Sequence, residues 1–200
     1  MTATCLLRWP VRVVRWLRRV RRRCGYGVHS PYAFSFITGV VYNTSAYYAY
    51  APLSRLRSPR LRCKDLRFVF RLADFSRARR AAVLTAPDEA LRAYLTAGRK
   101  SAQWTFSSDA GAPPEADGAG FVYADATIAG WAAWTTACMD AACEGAVVVV
   151  RGIGRSRQSR ADWRQLCAGR RGGISFDLHD FGIFCMESRL FRQDYVVNYF

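Results

Sequence analysis

The stretch Gly145–Gly152, GAVVVVRG, decides the fold. Four consecutive valines give no alternation between an apolar and a polar side. Such a strand has to be buried on both faces, as strands of a parallel sheet covered by helices are. The β-branched side chains favour the extended chain, and a glycine stands at either end. Upstream, FVYAD at Phe121–Asp125 has the same character. Between the two, Ile128, Trp131, Thr135, Cys138 and Ala142 recur on one face of a helix. Further back, RRAAVLTAPDEALRAYLTAG (Arg79–Gly98) reads as a strand at Ala81–Leu84, a tight turn and a helix from Pro87 to Ala97. AQWTF, Ala102–Phe106, is a further strand, and Leu66–Phe75 a helix with Leu66, Val69, Phe70 and Ala73 on one side. Downstream, Ser156 caps a helix reaching about Ala168. Three strands then close the chain, Ile174–Leu178, Gly182–Met186 and Tyr195–Phe200, with antiparallel turns between them. The expectation is an α/β fold: a Rossmann-like, mostly parallel sheet with helices on both faces and an antiparallel C-terminal edge.

Charge divides the chain. Of its net +15, all belongs to the part before Ala81, where 18 Arg and Lys face only Asp65 and Asp74. From Ala81 onward, 12 basic residues face 13 acidic ones. We therefore read residues 1–64 as a basic N-terminal helical segment and 65–200 as the Rossmann-like domain. At the start, Trp9, Val13, Trp16, Leu17, Val20 and Cys24 form one stripe of a basic amphipathic helix. Arg8, Arg12, Arg15, Arg19 and Arg22 form the other. Its apolar stripe suits docking on the following domain, and its arginines suit an anionic partner, a membrane surface or RNA. Arginine recurs too often for a secretory signal, and the longest aliphatic run, Ala146–Val150, is far short of a membrane span. Seven cysteines, an odd number without a C-x-x-C pair, point to a reducing compartment. The expected location is cytoplasmic, with peripheral membrane association as the further option.

In the second helical stretch, Ser30 is a natural N-cap with Pro31 at the first helical position and Asn43 as the stop. Tyr47, Tyr48 and Tyr50 follow among arginines. They suit either stacking on bases or half-burial against the domain.

Sheets of this class bind ligands at the carboxyl ends of their strands. The candidate positions are therefore Thr85–Asp88, Asp125–Thr127 and Arg151–Gly154. Thr85 and Asp88 have the spacing of a capping box, and Glu89 adds negative charge at the positive end of that helix. The chain has no G-x-S-x-G elbow, P-loop, H-E-x-x-H or G-x-G-x-x-G after a strand. His29 could serve as a base, but a backbone hydrogen bond before the Ser30 cap explains it more simply. His179 and Asp180 fall in a predicted turn.

GVHSPYAFSFIT, YYAY, FVYAD and GIFCMESRLFRQDYVVNYF, in that order, resemble a bacterial group of class I S-adenosylmethionine-dependent methyltransferase-like proteins with an N-terminal His-Ser-Pro motif. The resemblance implies S-adenosylmethionine as cofactor, with Thr85, Ala86, Asp88 and Asp125 as the residues to hold it. It also implies methyl transfer to an acceptor that the sequence does not name. The departures are specific. Members place glycines in the turn after the first strand, where VLTAPDEA has none, and Pro87 removes an amide donor. Only 38 steps separate Val83 from Phe121, so one or two βα units are missing, and the second strand ends without its ribose-binding acid. Asp125 matches a metal-binding aspartate of metal-dependent O-methyltransferases, yet Arg151 stands where the next ligand belongs. No metal is expected, and an Asp125–Arg151 ion pair is. The sequence thus predicts a methyltransferase-like protein with a degenerate cofactor site. The alternative is a non-catalytic scaffold or binding module that uses the arginine-rich N-terminal helix.

Overall fold

The computed structural model describes residues 28–111 and 116–199. The amphipathic helix expected before Gly25 lies outside the described residues. In chain order the elements are α1 (Pro31–Phe36), extended by one wide π-helical turn over Ile37–Val41, α2 (Tyr50–Leu53), α3 (Cys63–Ser76), β1 (Arg80–Leu84) and α4 (Glu89–Gly98). They continue with β2 (Gln103–Ser107), β3 (Phe121–Asp125), α5 (Trp131–Ala141), β4 (Val147–Arg151) and α6 (Arg157–Ala168). β5 (Ile174–Asp177), β6 (Phe181–Cys185) and β7 (Gln193–Val196) complete the chain.

The seven strands form one sheet in the order β2-β1-β3-β4-β6-β5-β7. β1 pairs parallel with β2 and β3, and β3 with β4. β6 runs antiparallel between β4 and β5. The mostly parallel Rossmann-like sheet with antiparallel pairing toward its C-terminal side is therefore as expected. Its last strands, however, do not form a meander. β7 begins at Gln193 and pairs parallel with β5. Both edges of β6 are already taken, so the only free edge on that side is the outer one of β5.

The valine strand carries the two-sided burial its composition requires. Val147 and Val149 join the core beneath α1, α3 and α4, while Val148 and Val150 join the core beneath α5 and α6. The first core is aromatic, with Phe36 stacked on Phe176 at 4.5 Å and Phe68 edge-on to Phe181 at 5.5 Å. Residues 33–61 contribute to it through Ala33, Phe36, Ile37, Tyr50 and Leu61. Ser30 caps α1 as read, accepting from the Ala33 amide at 3.3 Å. Where that helix ends, the buried Arg71 side chain donates to the Val40 carbonyl at 2.7 Å and to that of Val41 at 3.3 Å. A cation thus satisfies carbonyls that a helix C-terminus leaves open. Tyr47 and Tyr50 pack edge-on against Phe70, whereas Tyr48 is 72% exposed.

Candidate functional site

The carboxyl ends of β1, β3 and β4 meet at one rim of the sheet, and the three candidate turns are all there. Asp125 and Arg151 are register partners at the ends of neighbouring strands. The expected ion pair is present: Arg151 Nη1 stands 2.7 Å from Asp125 Oδ2, and the Asp125 side chain is almost fully buried. Its other oxygen accepts from the Thr127 amide at 3.0 Å. A buried carboxylate needs this full complement of partners.

The turn after β1 departs from its reading. Thr85 does not cap the helix. The β-ladder continues through it, its amide donating to the Ser107 carbonyl at 2.9 Å. Its hydroxyl donates to the Ala86 carbonyl at 3.1 Å. Because Thr85 still belongs to the extended chain, the cap falls three residues later. Asp88, with extended backbone, accepts from the Leu91 amide at 3.0 Å, and Glu89 opens the first turn beside the positive end of the helix dipole.

A segment that sequence reasoning did not single out covers this rim. Ser58 donates to Asp88 Oδ2 at 2.5 Å, while its hydroxyl oxygen accepts from the Arg60 and Leu61 amides. Arg60 reaches the carbonyls of Ala86 and Pro87 at 3.4 and 3.3 Å, and its own carbonyl accepts from Arg151 Nη2 at 2.6 Å. Arg62 pairs with Asp65 at 2.8 Å and lies 3.8 Å from Asp180. Asp180 in turn accepts through its carbonyl from the Gly152 amide at 2.6 Å. Residues 58–62 therefore form a strap tied to the turns after β1 and β4 and to the β5–β6 turn. Nothing in local spacing relates Ser58 to Asp88. The excess of arginine before Ala81 is the only pointer to it in the sequence.

Local structure accounts for the second histidine candidate. His179 sits in the β5–β6 turn at φ 75°, with its amide on Asp177 at 2.8 Å and its ring beside Asp180 at 3.0 Å. Gly154 faces it so closely that a Cβ there would overlap the His179 carbonyl oxygen. His29 is exposed. Beneath the rim, the Tyr123 hydroxyl is buried without a hydrogen-bond partner among the described residues. Burial pushes its pKa up, and the nearby Asp125 pushes in the same direction.

One opening remains beside the strap. A cleft of about 390 Å³ lies between the turn after β1 and the end of β2, lined by Thr85, Pro87, Glu89, Phe106, Ser107 and Ser108. Phe106 there is already engaged by the Arg92 guanidinium at 4.2 Å and by Trp104 at 6.1 Å. β2 ends at Ser107, without an acid as expected, and the next acid, Asp109, accepts from the Gly111 amide. Among the described residues, no group of three or more His, Cys, Asp or Glu is placed to hold a metal ion. No described helix is long and apolar enough to cross a membrane.

The strand order, with one antiparallel strand set between β4 and β5, is that of a mostly parallel, Rossmann-like sheet. Two solved structures align with the chain at a distance. Cofactor-bound Rv0187 from MTB aligns at a TM-score of 0.42 and 14% identity, over 82% of this chain and 94% of that one. The O-methyltransferase TomG from Streptomyces achromogenes, involved in tomaymycin synthesis and in complex with SAM, aligns at 0.45 and 14%, over 75% and 96%. No protein-family model and no curated protein sequence matches the chain.

Proposed function

We propose that this chain is a methyltransferase-like protein whose strand-end cofactor site is closed by its own side chains, and that it acts by binding rather than by methyl transfer. The observation that carries this reading is the strap. Both candidate cofactor-binding carboxylates are spent within the chain, Asp88 on Ser58 and the Leu91 amide, Asp125 on Arg151 and the Thr127 amide. The turn that would approach S-adenosylmethionine has no glycine, lacks an amide at Pro87, and has its Thr85 amide committed to β2. Thr85, Ala86, Asp88 and Asp125 thus do not fit the cofactor, since each is held by β2 or the strap, or by a neighbouring strand end. The binding role falls to the basic N-terminal third, whose partner is an anionic surface, membrane headgroups or RNA.

The two halves are tested separately. A ligand that binds only the folded state raises its melting temperature in proportion to the logarithm of its concentration. Millimolar S-adenosylmethionine is expected to leave the melt unmoved, and an upward shift of several degrees would overturn the closed-site reading. RNA and anionic vesicles are each titrated across a salt series, with the full chain and with a chain lacking residues 1–24. Binding that weakens steeply with salt and is lost on truncation supports the basic segment. Unchanged binding on truncation removes it from the role.

A further inference from the structure

The outer edge of β2 has no partner strand among the described residues. In its parallel ladder with β1, Gln103 and Ser107 are among the residues facing inward. The Gln103 amide donates to Arg79 at 2.8 Å, and the Ser107 carbonyl accepts from Thr85 at 2.9 Å. Alternation along the strand then turns the backbone N–H and C=O groups of Trp104 and Phe106 to the open edge. Natural edge strands are blunted by charge, proline or a bulge. Gln103–Ser107 carries none of these. Trp104 and Phe106 share one half-buried face, and Thr105 is exposed on the other.

We propose that two copies of the chain pair antiparallel through their β2 edges, about a two-fold axis at Thr105, into one continuous sheet. With Thr105 facing its counterpart, Trp104 of each copy lies opposite Phe106 of the other. These are the residues whose backbone groups are free to exchange hydrogen bonds in that register. On the half-buried face, each cross-strand pair is then aromatic on aromatic. Charge fits the same orientation. Exposed Lys100 precedes the strand and exposed Asp109 follows it, so antiparallel pairing brings the basic end of one copy to the acidic end of the other. Tyr48, 72% exposed, extends the apolar margin at the basic end, its ring 5.0 Å from the Lys100 ammonium. The edge complements itself in hydrogen-bonding register, side-chain size and charge, which selects a second copy as the occupant. The inference is independent of whether the cofactor site is closed.

The test uses the full chain in sedimentation velocity from low to high micromolar concentration. The wild type is expected to dimerise. Thr105→Lys sets like charges face to face and should shift dimerisation to at least tenfold higher concentration, as should Thr105→Glu alone. Mixing the two variants should restore a heterodimer, which also shows that neither has unfolded. Residues facing each other in the non-hydrogen-bonded pair of an antiparallel ladder stand about 4.5 Å apart between Cα atoms, within disulfide reach. Thr105→Cys should therefore give a reducible covalent dimer on mild oxidation, above the level of the wild type. A wild type that stays monomeric throughout overturns the proposal. So does a dimer that Thr105→Lys leaves unchanged and Thr105→Cys does not cross-link.

Discussion

At the scale of single residues, the Asp125–Arg151 pair fixes the rim. Arg151→Ala would leave a buried carboxylate without its cation, for an expected loss of about 3–5 kcal/mol in chemical denaturation. Asp88→Ala removes a helix cap and should cost about 1 kcal/mol, whereas Thr85→Ala should not produce a cap loss. The ion pair was legible in the sequence because the resemblance sets positions 125 and 151 at the ends of neighbouring strands, and the register confirms it. The cap was not, because T-x-x-D spacing says nothing of how far the β1 ladder runs, and Thr85 is still in it. Burial also sets the thiols. Cys138, Cys167 and Cys185 are each pushed up from the ordinary 9.0 to about 12, so at pH 8 they remain protonated and unreactive. Native labelling followed by mass spectrometry should modify the exposed Cys63 and Cys143 and spare these three. In the unfolded chain the same thiols ionise near 9.0. Their contribution is therefore intact below that pH and is lost as pH rises from about 9 toward about 12. An alkaline series of urea midpoints should fall across that window.

At the scale of elements, the helices and strands followed their periodicities, because a two-sided valine run and a capped amphipathic stretch each leave one stable packing. Features set by distant partners did not show. The π-helical turn at Ile37–Val41 ends on Arg71, which satisfies the Val40 and Val41 carbonyls from about thirty residues away. The placement of β7 depends on both edges of β6 being taken. The crossing of α3 and α4 is equally a matter of tertiary fit. A Cβ on Gly98 would overlap the Phe70 carbonyl oxygen and stand 3.0 Å from the Ala73 Cβ. Gly98→Ala should thus destabilise by about 1–3 kcal/mol despite the better helix propensity of alanine. A urea midpoint below that of the wild type would bear this out, and an unchanged or higher one would show that the two helices can separate at little cost.

At the scale of the whole molecule, the sheet class and the rim where the candidate turns meet were readable from strand–helix alternation. The strap across that rim was not. Ser58 and Asp88 are thirty positions apart, and only the fold brings the arginine-rich stretch across the ends of β1 and β4. The charge imbalance has the same origin in part. Arg60 and Arg62 are used inside the molecule. On the proposed reading, residues 58–62 fill the place that a cofactor would take. Isothermal titration of S-adenosylmethionine into the full chain at high micromolar protein tests this most directly. No saturable heat is expected. A saturable, one-to-one isotherm with a micromolar dissociation constant would contradict it.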